Sequence, residues 1–236
     1  MSNARNRYVD TIYNVSKTPI TTYPIKFTTY ICNRFKLKKN NSLLDIGCGR
    51  GDFTKGFVIN GLKTSAVDQS DICSKYCPEA ELKTSDLEKE GIPYKDNSFD
   101  IVYSKSVIEH FYNPEILAKE MYRVLKPGGL AITLCPAWEY NYKIYFEDYT
   151  HRTPFMLKSL RDIHIIHGFE DVKVEYFRQL PFLWKYPYLV FLSELTRIFI
   201  PDNFYKCESS TKFNKWIRFS KEIMLLSTAI KPKSNQ

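Results

Sequence analysis

No stretch of this 236-residue chain is long and apolar enough to suggest a membrane span. The longest candidate, residues 186–200, is interrupted by Glu194 and Arg197. The opening segment MSNARNRYVD lacks the apolar core of a secretory signal, so a cytoplasmic protein is the expectation. The six cysteines form no C-x-x-C pair; Cys73 and Cys77 are four residues apart, which argues against a metal ribbon or a redox dithiol. In a reducing compartment they read as free thiols. Low-complexity tracts and internal repeats are also missing, which excludes linkers and solenoid arrays.

What is present is a soluble composition, 44% apolar and 25% charged, of a size for one well-buried domain. The net charge of +8 is unevenly spread. Residues 1–41 hold eight Lys/Arg against one acid, and residues 201–236 hold seven against three. The middle is therefore slightly acidic. A nucleic-acid enzyme more often carries its basic stripe on the catalytic body, so no nucleic-acid partner is expected. Basic flanks suit a phosphorylated acceptor or a peripheral contact with a membrane surface, and equally suit plain solubility.

From Ser42 onward strand-like and helix-like segments alternate, the pattern of an α/β protein with a parallel sheet covered by helices. Strands are expected at 42–46, 64–67, 81–84, 99–103, 130–134, 172–176 and 223–227. Helices are expected at 52–60, stopped by Gly61, at 114–125, opened by Pro114, and at 154–167, stopped by Gly168. Lys126-Pro127-Gly128-Gly129 reads as a sharp turn between the second of these helices and the fifth strand. Residues 1–41 are expected to form an N-terminal helical lid segment ahead of a domain at 42–236. An aromatic-rich stretch at about 179–219 breaks the alternation and reads as an insertion before the last strand. Core and lid packing, a homodimer surface and an interfacial membrane helix all fit its composition, which includes Trp184, Phe204, Tyr205, Lys206 and Trp216.

Chemistry concentrates in LLDIGCGRGDF. A glycine-rich turn between a buried strand and a helix lets a ligand approach the backbone closely. Its spacing, D-x-G-x-G-x-G, differs from the dinucleotide fingerprint G-x-G-x-x-G. Asp68 ends the second strand, where a carboxylate can accept both hydroxyls of a ribose. Ser85-Asp86-Leu87 follows the third strand with a second acid.

Taken in order, LLDIGCGRGDF, AVDQSD, SDLEKEGIPYKDNSFDIVYSKSVIEHF and EMYRVLKPGGLAITLCP resemble class I S-adenosylmethionine (SAM)-dependent methyltransferases of the small-molecule branch. The resemblance implies a Rossmann-like sheet of order 3-2-1-4-5-7-6 with strand 7 antiparallel. It also implies SAM as cofactor and S-adenosylhomocysteine as product. Asp45, Gly47, Gly49 and Gly51 would flank the methionine moiety, Asp68 and Gln69 the ribose, Asp86 and Leu87 the adenine. Ser104 would close the pocket beneath the sulfonium.

Methyl transfer from an activated sulfonium needs mainly positioning and exclusion of water, and an oxygen acceptor also gains from a base. His110 and His151 both follow carboxyl ends of strands and are the candidates, with capping or packing as the alternative for each. His164 and His167 sit on the next helix and read as structural. Quinone-pathway O-methyltransferases carry E-x-x-E-H after strand four and can use a divalent metal there. Here Ser106 replaces the first Glu of that motif, so no metal is expected. DYTHRTPF, residues 148–155, instead resembles methyltransferases of bacterial surface-polysaccharide biosynthesis, which implies a sugar or other capsule or lipopolysaccharide precursor as acceptor. A quinone or lipid-like acceptor at a membrane surface, and a non-catalytic SAM-binding role, are the alternatives. No N/D-P-P-Y/F tetrad follows strand four.

Overall fold

The structure, a computed structural model, describes residues 19–201 and 212–233. Strands β1 (Ser42–Ile46), β2 (Lys63–Asp68), β3 (Glu81–Thr84), β4 (Phe99–Lys105), β5 (Leu125–Pro136), β6 (Glu170–Phe177) and β7 (Met224–Ile230) form one sheet. Its order is β3-β2-β1-β4-β5-β7-β6, as the sequence implies. The first five strands pair in parallel, and β7 runs antiparallel to both β5 and β6.

The central strands are apolar on both faces because helices cover both. Leu44, Ile46, Val102 and Ala131 point into one core with α4 (Pro114–Val124) and α6 (Leu157–Ile166). Their alternate neighbours Leu43, Ile101, Tyr103 and Ile132 join Phe27 and Ile31 of α1 (Tyr23–Arg34) and Phe57 of α2 (Asp52–Ile59) in a second. The described part of the N-terminal segment is thus a helix packed on the sheet, while residues 1–18 lie outside the described residues. Asn113 caps α4 by accepting from Glu115 N at 3.1 Å. Asn113→Ala is expected to cost about 1 kcal/mol in denaturant unfolding, the usual worth of such a cap.

Two local expectations are corrected. Lys126-Pro127-Gly128-Gly129 does not separate helix from strand. β5 already begins at Leu125, paired with Phe99, and the four residues form an irregularity before Leu130 pairs with Ile101. Gly128 at φ 79 and Pro127 suit a bulge as well as a turn. Pro154 does not open a helix either. Phe155 bridges Ala137 in parallel, and α6 starts only at Leu157, where Ser159 and Met156 cap each other.

The aromatic insertion is helical, comprising α7 (Pro181–Lys185), α8 (Val190–Phe199) and α9 (Lys212–Lys221); Phe204, Tyr205 and Lys206 lie outside the described residues. Trp184 stacks on Tyr30 at 4.8 Å and on Phe177 at 5.9 Å. That end of the insertion belongs to the core. Phe191, Leu195, Ile198 and Phe199 on α8 face solvent. Two further helices are short, α3 (Cys73–Tyr76) and α5 (Trp138–Asn141). Among the described residues no helix is long and apolar enough to cross a membrane.

Candidate functional site

The parallel register sets the carboxyl ends of β1, β2 and β4 side by side, Ile46 facing Val67 on one flank and Ser104 on the other. Gly47, Gly49 and Gly51 leave β1 with φ of 68°, 52° and 84°. That left-handed backbone favours glycine. Space requires it too: a Cβ at Gly47 would lie 2.3 Å from Val107 Cγ2, and one at Gly51 2.5 Å from Cys73 Sγ.

Around this turn stand the acids expected from the sequence. Asp68 accepts from Gly49 N at 2.9 Å and from Ser70 N at 3.0 Å, so it braces the turn from the next strand. Asp45 is 2% exposed and accepts from Thr54 Oγ1 at 2.6 Å. Burial pushes its pKa up to about 7; the Thr54 hydrogen bond works against this, and the charge of Asp68 adds to it. Asp86 and Leu87 are buried at the end of β3, with Lys89 Nζ 3.1 Å from Asp86 Oδ2. Ser104 is fully buried and its hydroxyl has no hydrogen-bond partner among the described residues. Gln69 points to solvent beside Asp68. All the residues assigned to the cofactor therefore lie at or just beyond the carboxyl ends of β1–β4, where open α/β sheets hold ligands.

A cavity of about 480 Å³ begins where the chain leaves β4, with Tyr23, Lys105, Glu109, His110, His151 and Arg218 among its walls. Val107, which fills the space over Gly47, follows directly on Lys105 and Ser106, two residues of the cavity wall. Ser106 turns the chain with φ 57, and Ile108–His110 make a single helical turn. The loop bearing His151 is stitched onto that turn. Glu109 O accepts from Arg152 N at 2.8 Å and Thr153 N at 3.0 Å, and Thr153 Oγ1 donates to Phe111 O at 2.8 Å. The two imidazoles consequently stand 4.8 Å apart, centroid to centroid.

Hydrogen bonding fixes which ring nitrogen carries the proton. His151 Nδ1 lies 2.6 Å from the carbonyl of Tyr145, which can only accept, so Nδ1 donates, and in the neutral ring the lone pair is on Nε2. Thr150 Oγ1 lies 2.5 Å from Asp148 Oδ1 and 2.9 Å from His110 Nδ1. Burial works to raise the Asp148 pKa, yet the Thr150 hydroxyl and N–H hold it below the usual carboxylate range. The hydroxyl's single proton therefore goes to the Asp148 carboxylate. Its oxygen then accepts from His110 Nδ1–H, leaving His110 Nε2 bare. Burial and the neighbouring His151 push His110 down to about 4, so this ring is neutral at pH 7.

Glu109 completes the cluster. It is wholly buried, neither carboxyl oxygen has a hydrogen-bond partner among the described residues, and burial pushes its pKa up to about 8. One potential ligand atom from each of Glu109, His110 and His151 lies within 4.8 Å of the others. Ser106 stands where the E-x-x-E-H motif has its first glutamate, and His151 reaches the same place from the loop after β5. Glu109, Asp148, Thr150 and Tyr145 had no individual sequence signal as partners of these histidines. His164 is structural as expected, buried with Nδ1 2.7 Å from Leu160 O.

Comparison with known proteins bears on this geometry directly. Residues 44–133 match the methyltransferase domain family. A probable methyltransferase of Aspergillus luteorubrus is 34% identical over 116 residues, covering 41% of this chain and 40% of that protein. A ubiquinone/menaquinone biosynthesis C-methyltransferase of Neisseria meningitidis is 32% identical over 114 residues, covering 44% and 46% respectively. The chain thus spans less than half the length of the curated relatives it matches. Among solved structures, Haemonchus contortus phosphoethanolamine N-methyltransferase 2, in complex with phosphomonomethylethanolamine and S-adenosylhomocysteine, superposes with a TM-score of 0.67 at 21% identity. That match covers 96% of this chain and 59% of the other. A SAM-dependent methyltransferase of Archaeoglobus fulgidus gives 0.62 at 23%, covering 87% of this chain and 94% of that one. The family match spans β1 to β5, the part that builds the glycine turn; the loop of His151 lies beyond it.

Proposed function

We propose that this chain transfers the methyl group of S-adenosylmethionine to an oxygen of a small-molecule acceptor held in the Glu109–His110–His151 cavity. The observation that carries the reading is the pair of imidazoles, 4.8 Å apart, in the wall of a cavity that begins at Lys105 and Ser106, directly after Ser104 at the end of β4. The cofactor sits across Gly47–Gly51 with its ribose on Asp68, its adenine beside Asp86 and Leu87, and its methionine end toward Asp45. In the reaction the acceptor oxygen bonds to the methyl carbon as the sulfur–carbon bond breaks, and the sulfonium becomes a neutral thioether. As that bond forms, the acceptor hydroxyl gives up its proton to the Nε2 lone pair of His151 or His110. Most of the remaining rate comes from holding the two reactants in line.

Lys105 and Arg218 share the cavity wall with Glu109, Glu147, Asp148 and Glu222, and Arg218 is paired with Glu222 at 2.8 Å; such a mixed polar wall suits a hydroxyl-rich acceptor such as a sugar precursor. A lipid-like acceptor presented at a membrane surface is the second reading, favoured by the exposed apolar face of α8. Methyl-transfer assays with hydroxylated sugar phosphates and with quinols separate them: turnover only on quinols would displace the first reading.

The cofactor half carries its own pH signature. SAM brings positive charge toward Asp45 and so favours its ionised form, whereas burial raises its pKa to about 7. SAM affinity is therefore expected to rise as the pH climbs through about 7, with Asp45 releasing a proton on binding. Calorimetry in buffers of different ionisation enthalpy reads that proton. Affinity flat across this range would remove Asp45 from the cationic end of the cofactor.

A further inference from the structure

Two imidazoles and a carboxyl converge in one part of the cavity wall, which Lys105 and Arg218 also line. His110 and His151 spend their Nδ1 protons on Thr150 Oγ1 and the Tyr145 carbonyl, so in the neutral rings Nε2 is the nitrogen left for a ligand. Glu109 adds two buried carboxyl oxygens with no hydrogen-bond partner among the described residues. Lone pairs that face one another in a buried place repel unless something electron-poor lies between them. Lys105 also lines the cavity, but no hydrogen bond joins it to Glu109.

We infer that Glu109, His110 and His151 form a binding site for one divalent transition-metal cation, with Zn²⁺ the best match to two imidazoles and one carboxylate. Such a set leaves a fourth position open, the arrangement of zinc sites that act on a substrate rather than brace a fold. Zinc–ligand bonds of about 2.0–2.2 Å set tetrahedral donors roughly 3.4 Å apart. The present set, within 4.8 Å, closes to that spacing by side-chain torsions of about an ångström in reach. The supporting shell is already in place. A ligating histidine normally donates its other N–H to a carbonyl, carboxylate or hydroxyl, which fixes the ring, and here Tyr145 O and the Thr150–Asp148 pair do so. The backbone bonds from Arg152 N and Thr153 N to Glu109 O hold the two ligand-bearing loops together.

The cation site stands on this geometry alone; its catalytic use rests on the proposed function. There the open position takes the acceptor hydroxyl, whose pKa the cation lowers. With the cation bound, the lone pairs of His110 and His151 would be held as ligands, so the hydroxyl proton would leave to solvent water and the histidines would act on the acceptor oxygen only through the cation.

The test uses the full chain without an affinity tag, stripped with a chelator and titrated with Zn²⁺ against a chromophoric competitor. One Zn²⁺ per chain is expected. Thr150→Val should weaken binding by about 10- to 100-fold, as loss of a supporting contact does, and Glu109→Gln or His151→Ala by more than about 100-fold. Glu109→Gln preserves side-chain shape and should unfold as cooperatively as the parent, so its loss of zinc is not a loss of fold. Co²⁺ should give a visible d–d spectrum in the parent that vanishes in both ligand variants. Absence of stoichiometric binding by the parent, or parental affinity in Glu109→Gln and His151→Ala, would overturn the site. A SAM titration on the same samples keeps the two readings apart. Zinc bound without SAM binding would defeat the proposed function and leave the site standing; SAM bound without zinc would defeat the site alone.

Discussion

Replacing His151 by alanine is expected to lower methyl transfer by about 10²- to 10⁴-fold, the range a single positioned proton-handling group contributes, while SAM affinity stays at the parental value. The split follows from where His151 sits. Its ring touches Tyr145 and His110 across the acceptor cavity, with centroids at 4.5 Å and 4.8 Å. The residues assigned to the cofactor are grouped instead at the ends of β1–β4. Calorimetry for the cofactor and a single-turnover assay on a competent acceptor read the two quantities separately. A variant that loses both has damaged the fold; a variant that loses neither takes His151 out of the reaction. Thr150→Val should show a milder form of the same split, because it frees His110 Nδ1 without deleting the ring.

The second large effect is on the cofactor. Asp68→Ala should weaken SAM binding by about 1–3 kcal/mol, the cost of losing charge-assisted hydrogen bonds and leaving their donors unmatched. Two losses coincide: the ribose loses its acceptor, and Gly49 N and Ser70 N lose the carboxylate that braces the turn. Parental affinity in this variant would remove Asp68 from the binding site. Asp68→Asn keeps one acceptor oxygen and should fall between the two.

The cofactor half of the site was legible because its determinants are local. Asp45 to Gly51 is one continuous strand-turn segment, and Asp68 and Asp86 each end a strand that patterning alone locates. The sheet order followed from the resemblance those motifs carry. Longer-range features were hidden. Lys126-Pro127-Gly128-Gly129 has every local mark of a turn, and only its pairing with β4 makes it a bulge in β5. The helix expected at Pro154 starts later because Phe155 is drawn into a bridge with Ala137. The clearest case is Glu109–His110–His151. Each histidine could be picked out by its place after a strand. That they share one wall, with Glu109 unpartnered between them, depends on loop hydrogen bonds such as Arg152 N to Glu109 O. No spacing rule in the sequence encodes those bonds. The insertion divides the same way: its aromatic content was plain, but not that Trp184 enters the core while α8 keeps an apolar face outward.

The central claim is that the glycine turn of β1 seats S-adenosylmethionine. Isothermal titration of the purified chain with SAM, S-adenosylhomocysteine and NAD tests it most directly. Saturable one-to-one binding of SAM and S-adenosylhomocysteine, with none of NAD, is the predicted result. No heat from either sulfur compound at millimolar concentration would contradict it.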